Sequence, residues 1–228
     1  MWPFEREEGR PAYVARLSGA ERAVLLDVVD DVIELLGGRD ADGSRSRATG
    51  HPLDALRIEL GPLTAPADSA VLRLLPDASR EDPAVTAEFR RLTEGDLRAT
   101  KVANLLKLRA VVDGARPEAI VLVSEGSGVA AALTDLRLVV SERLELRTDE
   151  DADAVMHLAV DDEVLDPADQ DAHARRFLAT VYVVLSMLQD SLVELMLEGL
   201  PDSPLAARRT SRPGDGPDGT PGAGTGIG

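Results

Sequence analysis

The stretch from Asp82 to Gly114 constrains the fold of this chain more than any other. Asp82-Pro83 places a capping side chain beside a proline suited to the first helical position. Beyond it Val85, Phe89, Leu92, Leu97, Val102, Leu105, Leu106 and Leu108 recur at helical spacing as far as Gly114, with Gly95 as a point where the helix is expected to kink. A second helix opens at Ser18, because Ser18-Gly-Ala-Glu21 has capping-box spacing. Val24, Leu25, Val28, Val32, Leu35 and Leu36 line one face of it before Gly37-Gly38 ends it. Val71 to Leu75 reads as a short helix stopped at Pro76, and Ser124 or Ser127 is expected to start another, with Val129, Leu133, Leu136, Val140 and Leu144 inward. A last helix from about Asp169 to Glu198 is apolar on nearly every side between Phe177 and Leu188. That pattern places it at the centre of a bundle or in an oligomer interface. Two short runs, Pro11 to Leu17 and Ala119 to Val123, read as strands.

The expected fold is therefore mainly α: a helical bundle-like single domain over 1–200 with one to three short β-strands. At 228 residues and 44% hydrophobic the chain is long and apolar enough for one sizeable core. Residues 38–66, rich in Gly, Asp, Ser, Arg and Pro, are expected to be a flexible linker with a weak apolar run near Leu53 to Leu60. Residues 201–228 are expected to be a disordered tail, since Gly, Pro, Asp, Ser and Thr dominate and bury nothing. Between 148 and 174 stand ten acidic residues and no Lys or Arg. Mutual repulsion predicts a solvated acidic loop over about 148–168, with an extended piece from Val155 to Val160.

Charge and residue types narrow the chemistry. The 41 acidic and 25 basic residues leave a net charge of −16, which opposes unaided DNA binding because phosphate contacts need a basic face. With no cysteine, disulfides, thiolate metal sites and thiol nucleophiles are excluded. His51, His157 and His173 have no partner at ligand spacing, so no metal site is expected. Ser124-Glu-Gly-Ser127-Gly128 does not meet the nucleophile-elbow frame, and no dinucleotide or phosphate-loop motif is present. The reading is a non-enzymatic protein without a cofactor. The acidic N-terminus lacks the charge pattern of a signal peptide, and the twelve apolar residues from Phe177 fall short of the roughly 20 of a bilayer span. A cytoplasmic protein without membrane attachment is expected.

The informative stretch is electrostatic. Residues 71–116 carry nine basic residues against seven acids, so the centre of this acidic protein stands at +2. Arg91, Glu94, Asp96, Arg98 and Lys101 lie three to five apart, close enough for ladder pairs. Arg73 and Arg90 belong to the same stretch, and Asp135 and Arg137 are expected to reach it from the next helix. Two readings stay open: an internal arginine–carboxylate network that fixes how helices pack, or a partner-docking or nucleic-acid-facing surface centred on Arg90, Arg91, Arg98 and Lys101.

Certain segments also carry a family resemblance. They are Arg73-Leu-Leu-Pro76-Asp77-Ala78, Asp82, Glu88-Phe89-Arg90-Arg91-Leu92-Thr93-Glu94, Asp96-Leu97-Arg98 with Lys101, Leu133-Thr134-Asp135-Leu136-Arg137-Leu138, and Leu188-Gln189-Asp190-Ser191-Leu192. In this order they resemble the actinobacterial oxidation-sensing transcriptional regulator (AosR-like) family, long filed as a domain of unknown function. The resemblance spans most of residues 11–198. It implies a cytoplasmic regulator of transcription in the oxidative stress response, with a sigma factor or RNA polymerase as protein partner and weak or partner-dependent DNA binding. Sensing in that family runs through a cysteine pair, and this chain has no cysteine, so disulfide sensing does not carry over. Methionine is a poor substitute, since Met187 and Met196 sit on a helix expected to be buried. A different expectation is an adaptor or scaffold unrelated to transcription, with the closing helix as a homodimer or partner surface.

Overall fold

The computed structural model describes residues 2–37, 68–79, 81–161 and 164–200. The linker and tail expected at 38–66 and 201–228 lie outside the described residues. What is described is mainly α, with one small antiparallel sheet. Strands β1 (Trp2–Arg6), β2 (Ala12–Arg16) and β3 (Glu118–Leu122) pair in that order. In the β2–β3 ladder Ala12 stands opposite Leu122 and Arg16 opposite Glu118, where the two side chains pair at 3.2 Å. Sequence reading missed β1, whose polar, proline-interrupted residues show no alternation. Its place is set instead by the β2 edge and by the Phe4 N–H, which donates to Ser191 Oγ at 3.0 Å.

Six helices are described: α1 (Gly19–Leu35), α2 (Ser69–Leu74), α3 (Pro83–Gly114), α4 (Gly126–Arg143), α5 (Asp149–Val160) and α6 (Gln170–Glu198). The capping box of α1 forms as its sequence requires: the Glu21 N–H donates to Ser18 Oγ, and the Ser18 N–H to the Glu21 carboxylate at 2.8 Å. Gly37 follows at φ 69°, a left-handed conformation that glycine adopts without a Cβ penalty. Asp82 accepts from the N–H groups of Ala84 and Val85, and α3 continues through Gly95.

Four expectations are corrected. Over 149–160 the acidic stretch is a helix rather than a loop, and Val155 to Val160 is not extended, whereas 161 and 164–168 lie outside helix and strand as expected. Thr148 caps α5 and Asp151 returns the capping-box bond to the Thr148 N–H at 2.9 Å. Asp149, Glu150 and Asp151 occupy the first turn, where exposed backbone N–H groups and the helix dipole stabilise negative charge. Neither Ser124 nor Ser127 caps α4. The chain instead enters through a 3-10 turn at Val123–Glu125, tied down by the Val123 N–H on Pro11 O at 2.9 Å. The helix opens at Gly126, where a Cβ would lie 3.2 Å from Met196 Sδ and 3.3 Å from Tyr13 Cε2, so any larger residue would have to displace these side chains by a few tenths of an ångström.

The third correction concerns which helix is central. It is α4, which buries Val129, Ala132, Leu133, Asp135, Leu136, Val139 and Val140 against α1, α2, α3 and α6. Helix α6 buries Val181, Leu185, Leu188, Leu192 and Leu195 and leaves Phe177, near its start, and Met187 and Leu197 exposed. It is long and apolar enough, by length and composition, to cross a bilayer. In this fold it packs along α4, α5 and β1. The fourth concerns the stripe of α3. Leu105, Leu108 and Val112 enter the core, whereas Val85, Phe89 and Leu92 face solvent, Leu92 at 61% exposure. At 100° per residue these three lie about half a turn round from Leu105 and Leu108, so they never shared a face.

Candidate functional site

Arg90 is the pivot of the region that holds α3 in place. It is 3% exposed, although long cations are seldom fully buried without partners. Its Nη2 and Nε donate to Asp77 Oδ1 at 2.6 and 3.1 Å, and its Nη1 to Glu94 Oε2 at 2.8 Å. A longer contact runs from Nη2 to the Leu75 carbonyl at 3.4 Å, beside the end of α2. Burial opposes the Arg90 charge, but the hydrogen bonds that it donates to Asp77 and Glu94 outweigh it and hold the guanidinium above its ordinary range. Glu94 also accepts from Arg98 Nη2 at 2.8 Å, and Arg98 Nη1 reaches the Leu36 carbonyl at 2.8 Å. Three successive turns of α3 thus clamp the end of α2 and the C-terminus of α1, where orphan carbonyls need donors.

One turn further along, Lys101 Nζ donates to Asp135 Oδ1 at 2.6 Å. Asp135 is buried on the central helix α4, and burial pushes its carboxyl above the usual range despite the opposing pull of Lys101. Such a pair stabilises the fold only when both members are present.

The remaining candidates separate. Arg91 is exposed and pairs with Glu88 at 2.7 Å on its own helix, so it has no contact with Asp135. Asp96 is exposed. Arg73 binds Glu142 of α4 at 2.8 Å, and Glu142 also accepts from Arg147 at 2.7 Å. The bonds from Arg147 and Arg73 hold the Glu142 carboxyl down at about 2. Arg137 corrects the expectation that it reaches α3: it turns the other way. It donates to Gln189 Oε1 at 2.9 Å and lies 5.5 Å from the Tyr182 ring centroid, which docks α6 on α4. The partner-docking reading therefore fails for Arg90 and Lys101, whose donors are turned inward.

What the clamp leaves facing outward is the site that sequence reading missed. Val85, Phe89 and Leu92 form an uncovered apolar stripe over two turns on the side of α3 opposite Arg90 and Glu94, with Glu88 and Arg91 beside it. The angular offset from Leu105 and Leu108 was the signal that could have found it. A roomier cleft of about 340 Å³ lies between α3, β3 and the start of α4, with Lys107, Glu118 and Glu125 as its charged groups. Of the three histidines, His51 lies outside the described residues, His173 meets the Asp166 carbonyl at 3.1 Å and His157 is exposed on α5. No group of three or more metal-ligating side chains comes together among the described residues.

Residues 1–196 match the sequence model of a family described as a domain of unknown function (DUF2017). Neither a curated protein nor a solved structure matches the chain.

Proposed function

The chain belongs to the DUF2017 family, and we propose that it is a cytoplasmic, non-enzymatic regulator or co-regulator of transcription that acts by binding a protein of the transcription machinery, a sigma factor or RNA polymerase. The observation that carries this reading is the Val85–Phe89–Leu92 stripe, held outward because the opposite face of α3 is clamped by buried charge. An apolar stripe on a rigid helix is a ready surface for a partner's groove, read at spacings of three and four residues. The net charge of −16 favours protein over bare DNA as the first contact, since phosphate binding needs a basic face. Without cysteine, such a regulator does not sense oxidants through a disulfide.

Fluorescence anisotropy on promoter DNA, with and without sigma factor or polymerase, tests the proposal. Binding is expected only in the partner's presence. Phe89→Asp and Leu92→Asp should weaken it about tenfold or more, while the helical circular dichroism stays unchanged. Tight, salt-steep binding by the protein alone would replace the co-regulator reading with direct DNA binding. Capture of unrelated enzymes instead of polymerase components would favour an adaptor.

A further inference from the structure

We infer that the outer face of α3 from Val85 to Ala110 docks a single helix of another protein, one that carries a Lys or Arg opposite Asp96. The inference rests on the reading of the Val85–Phe89–Leu92 stripe as a docking surface, and it specifies the partner. Beyond Leu92 the stripe continues through Asp96, Ala99, Ala103, Leu106 and Ala110, at spacings that alternate between four and three. All of these residues are exposed, Leu106 at 50%. At 100° per residue they and the first three share an arc of about 100°, over roughly 38 Å of helix. This is the pattern of a helix–helix seam, kept for about three and a half heptads and left open. Its first half is bulky, whereas alanine at 99 and 103 lets a second helix come closer in the middle.

Gly95 flanks the seam at that point. It is exposed in the middle of a helix, and a Cβ there would meet nothing within 4 Å. Glycine lowers the stability of a helix interior relative to alanine, and no contact among the described residues requires it. A second helix lying against the seam supplies the reason, because a bare Cα leaves room for a long side chain to reach Asp96.

Charge selects the occupant. Asp96 stands in the middle of the seam, and the residues three and four positions to either side, Leu92, Thr93, Ala99 and Thr100, are all uncharged. Its carbonyl accepts from Thr100 Oγ1 at 2.8 Å, but its carboxylate has no partner among the described residues. An apolar cover would strand that charge away from water. A Lys or Arg opposite it neutralises the charge and fixes the register, as polar seam residues do. A second copy of this chain does not fit. The antiparallel register that covers the whole seam sets Val85 against Ala110, and it brings the two Asp96 residues to within roughly 4.5 Å of each other along the axis. A parallel pair sets Asp96 directly against its counterpart. In both, the flanking Thr93, Gly95, Thr100 and Val102 supply no cation, so two carboxylates would be covered together. A bilayer would have to bury the same charge unpaired.

The test uses the full chain in its native cells, with benzoylphenylalanine in place of the exposed Thr100 at the edge of the seam. Illumination should cross-link it to another protein, at a segment whose apolar residues recur at spacings of three and four around a Lys or Arg. With that protein purified, Asp96→Lys should raise the dissociation constant about tenfold or more, and changing the partner's basic residue to Asp should restore it. Gly95→Leu should weaken the pair too, while the circular dichroism of the isolated chain is kept and its urea midpoint holds or rises. No cross-link, a cross-link only to a second copy or to lipid, a segment without that pattern, or a dissociation constant indifferent to Asp96→Lys would each overturn the inference. A sigma factor or polymerase bound without regard to Asp96→Lys removes this inference and leaves the transcription reading. A helix of the expected kind from a protein outside transcription does the reverse.

Discussion

Helices α3 and α6 are similar in length, 32 and 29 residues, and are fixed by opposite means. From 90 to 101, α3 is held by charged groups: Arg90 on Asp77 and Glu94, Arg98 on the Leu36 carbonyl, Lys101 on Asp135. Helix α6 is held mainly by aliphatic side chains, with Leu185 and Leu192 fully buried. Directional bonds fix the rotation of a helix about its axis, because a guanidinium fork satisfies its acceptors in one geometry. Hydrophobic burial is non-directional and sets how much area is covered rather than which bonds form. The difference explains why α3 can present Val85, Phe89 and Leu92 to solvent without rolling them into the core. Both helices end up with apolar outer faces, one pinned outward by charge and the other left over after the core is full.

The largest expected effect breaks the charged side of this comparison. Lys101→Met leaves Asp135 buried without its partner and should destabilise the protein by about 4 kcal/mol in urea unfolding. Replacing both members, Lys101→Met with Asp135→Leu, should return most of that loss, since the desolvation of both charges disappears together. A single substitution as mild as the double one would show that the pair is not buried in solution.

Next comes the apolar side. Leu192→Ala in α6 removes a fully buried side chain against α4 and should cost about 3 kcal/mol, with no change in the slope of stability against pH. Placing the two results side by side sharpens the contrast. The charged pair should be recoverable by a second substitution, and the leucine only by refilling its volume.

A smaller effect separates charge networks by pH. Glu142, held at about 2 by Arg147 and Arg73 against an ordinary 4.5, contributes stability that is fully present above pH 4.5. Its folded pKa is depressed, so that contribution is lost as pH falls towards 2. Glu142→Gln should flatten the acid limb of stability between about pH 4.5 and 2, read from urea midpoints, and leave the neutral plateau lower.

Much of this contrast was legible before any coordinates. Ser18 with Glu21, and Asp82 with Pro83, mark helix starts because capping is local chemistry within four residues. The Glu94–Arg98 pair follows from i, i+4 spacing within the expected ladder, whereas the second partner of Glu94 is Arg90 and not Arg91. What failed depended on context beyond that range. Asp149 to Asp151 looked repulsive as a list of charges, yet in the first turn of α5 they meet free N–H groups. Arg137 was assigned to α3 by proximity in sequence pattern, but its direction is decided by Gln189, 52 residues away. Val85, Phe89 and Leu92 share helical spacing with the core leucines, and only their angle round the helix sets them apart.

The smallest expected effect is the most discriminating test of which charges belong to the clamp. Arg91 is adjacent in sequence to Arg90, but its guanidinium pairs with Glu88 at the surface, where solvent screening leaves an ion pair little net stability. Arg91→Ala should therefore leave the urea midpoint unchanged, and a double-mutant cycle between Arg91 and Asp135 should return no coupling above the error of the measurement. The same cycle on Arg90 and Glu94 should exceed that limit clearly, because these groups are in contact and shielded from water. Coupling at Arg91 as large as at Arg90 would mean that α3 is rotated from the orientation described. In that rotation the charged clamp and the exposed stripe would have to change places together, since they lie on opposite sides of one rigid helix.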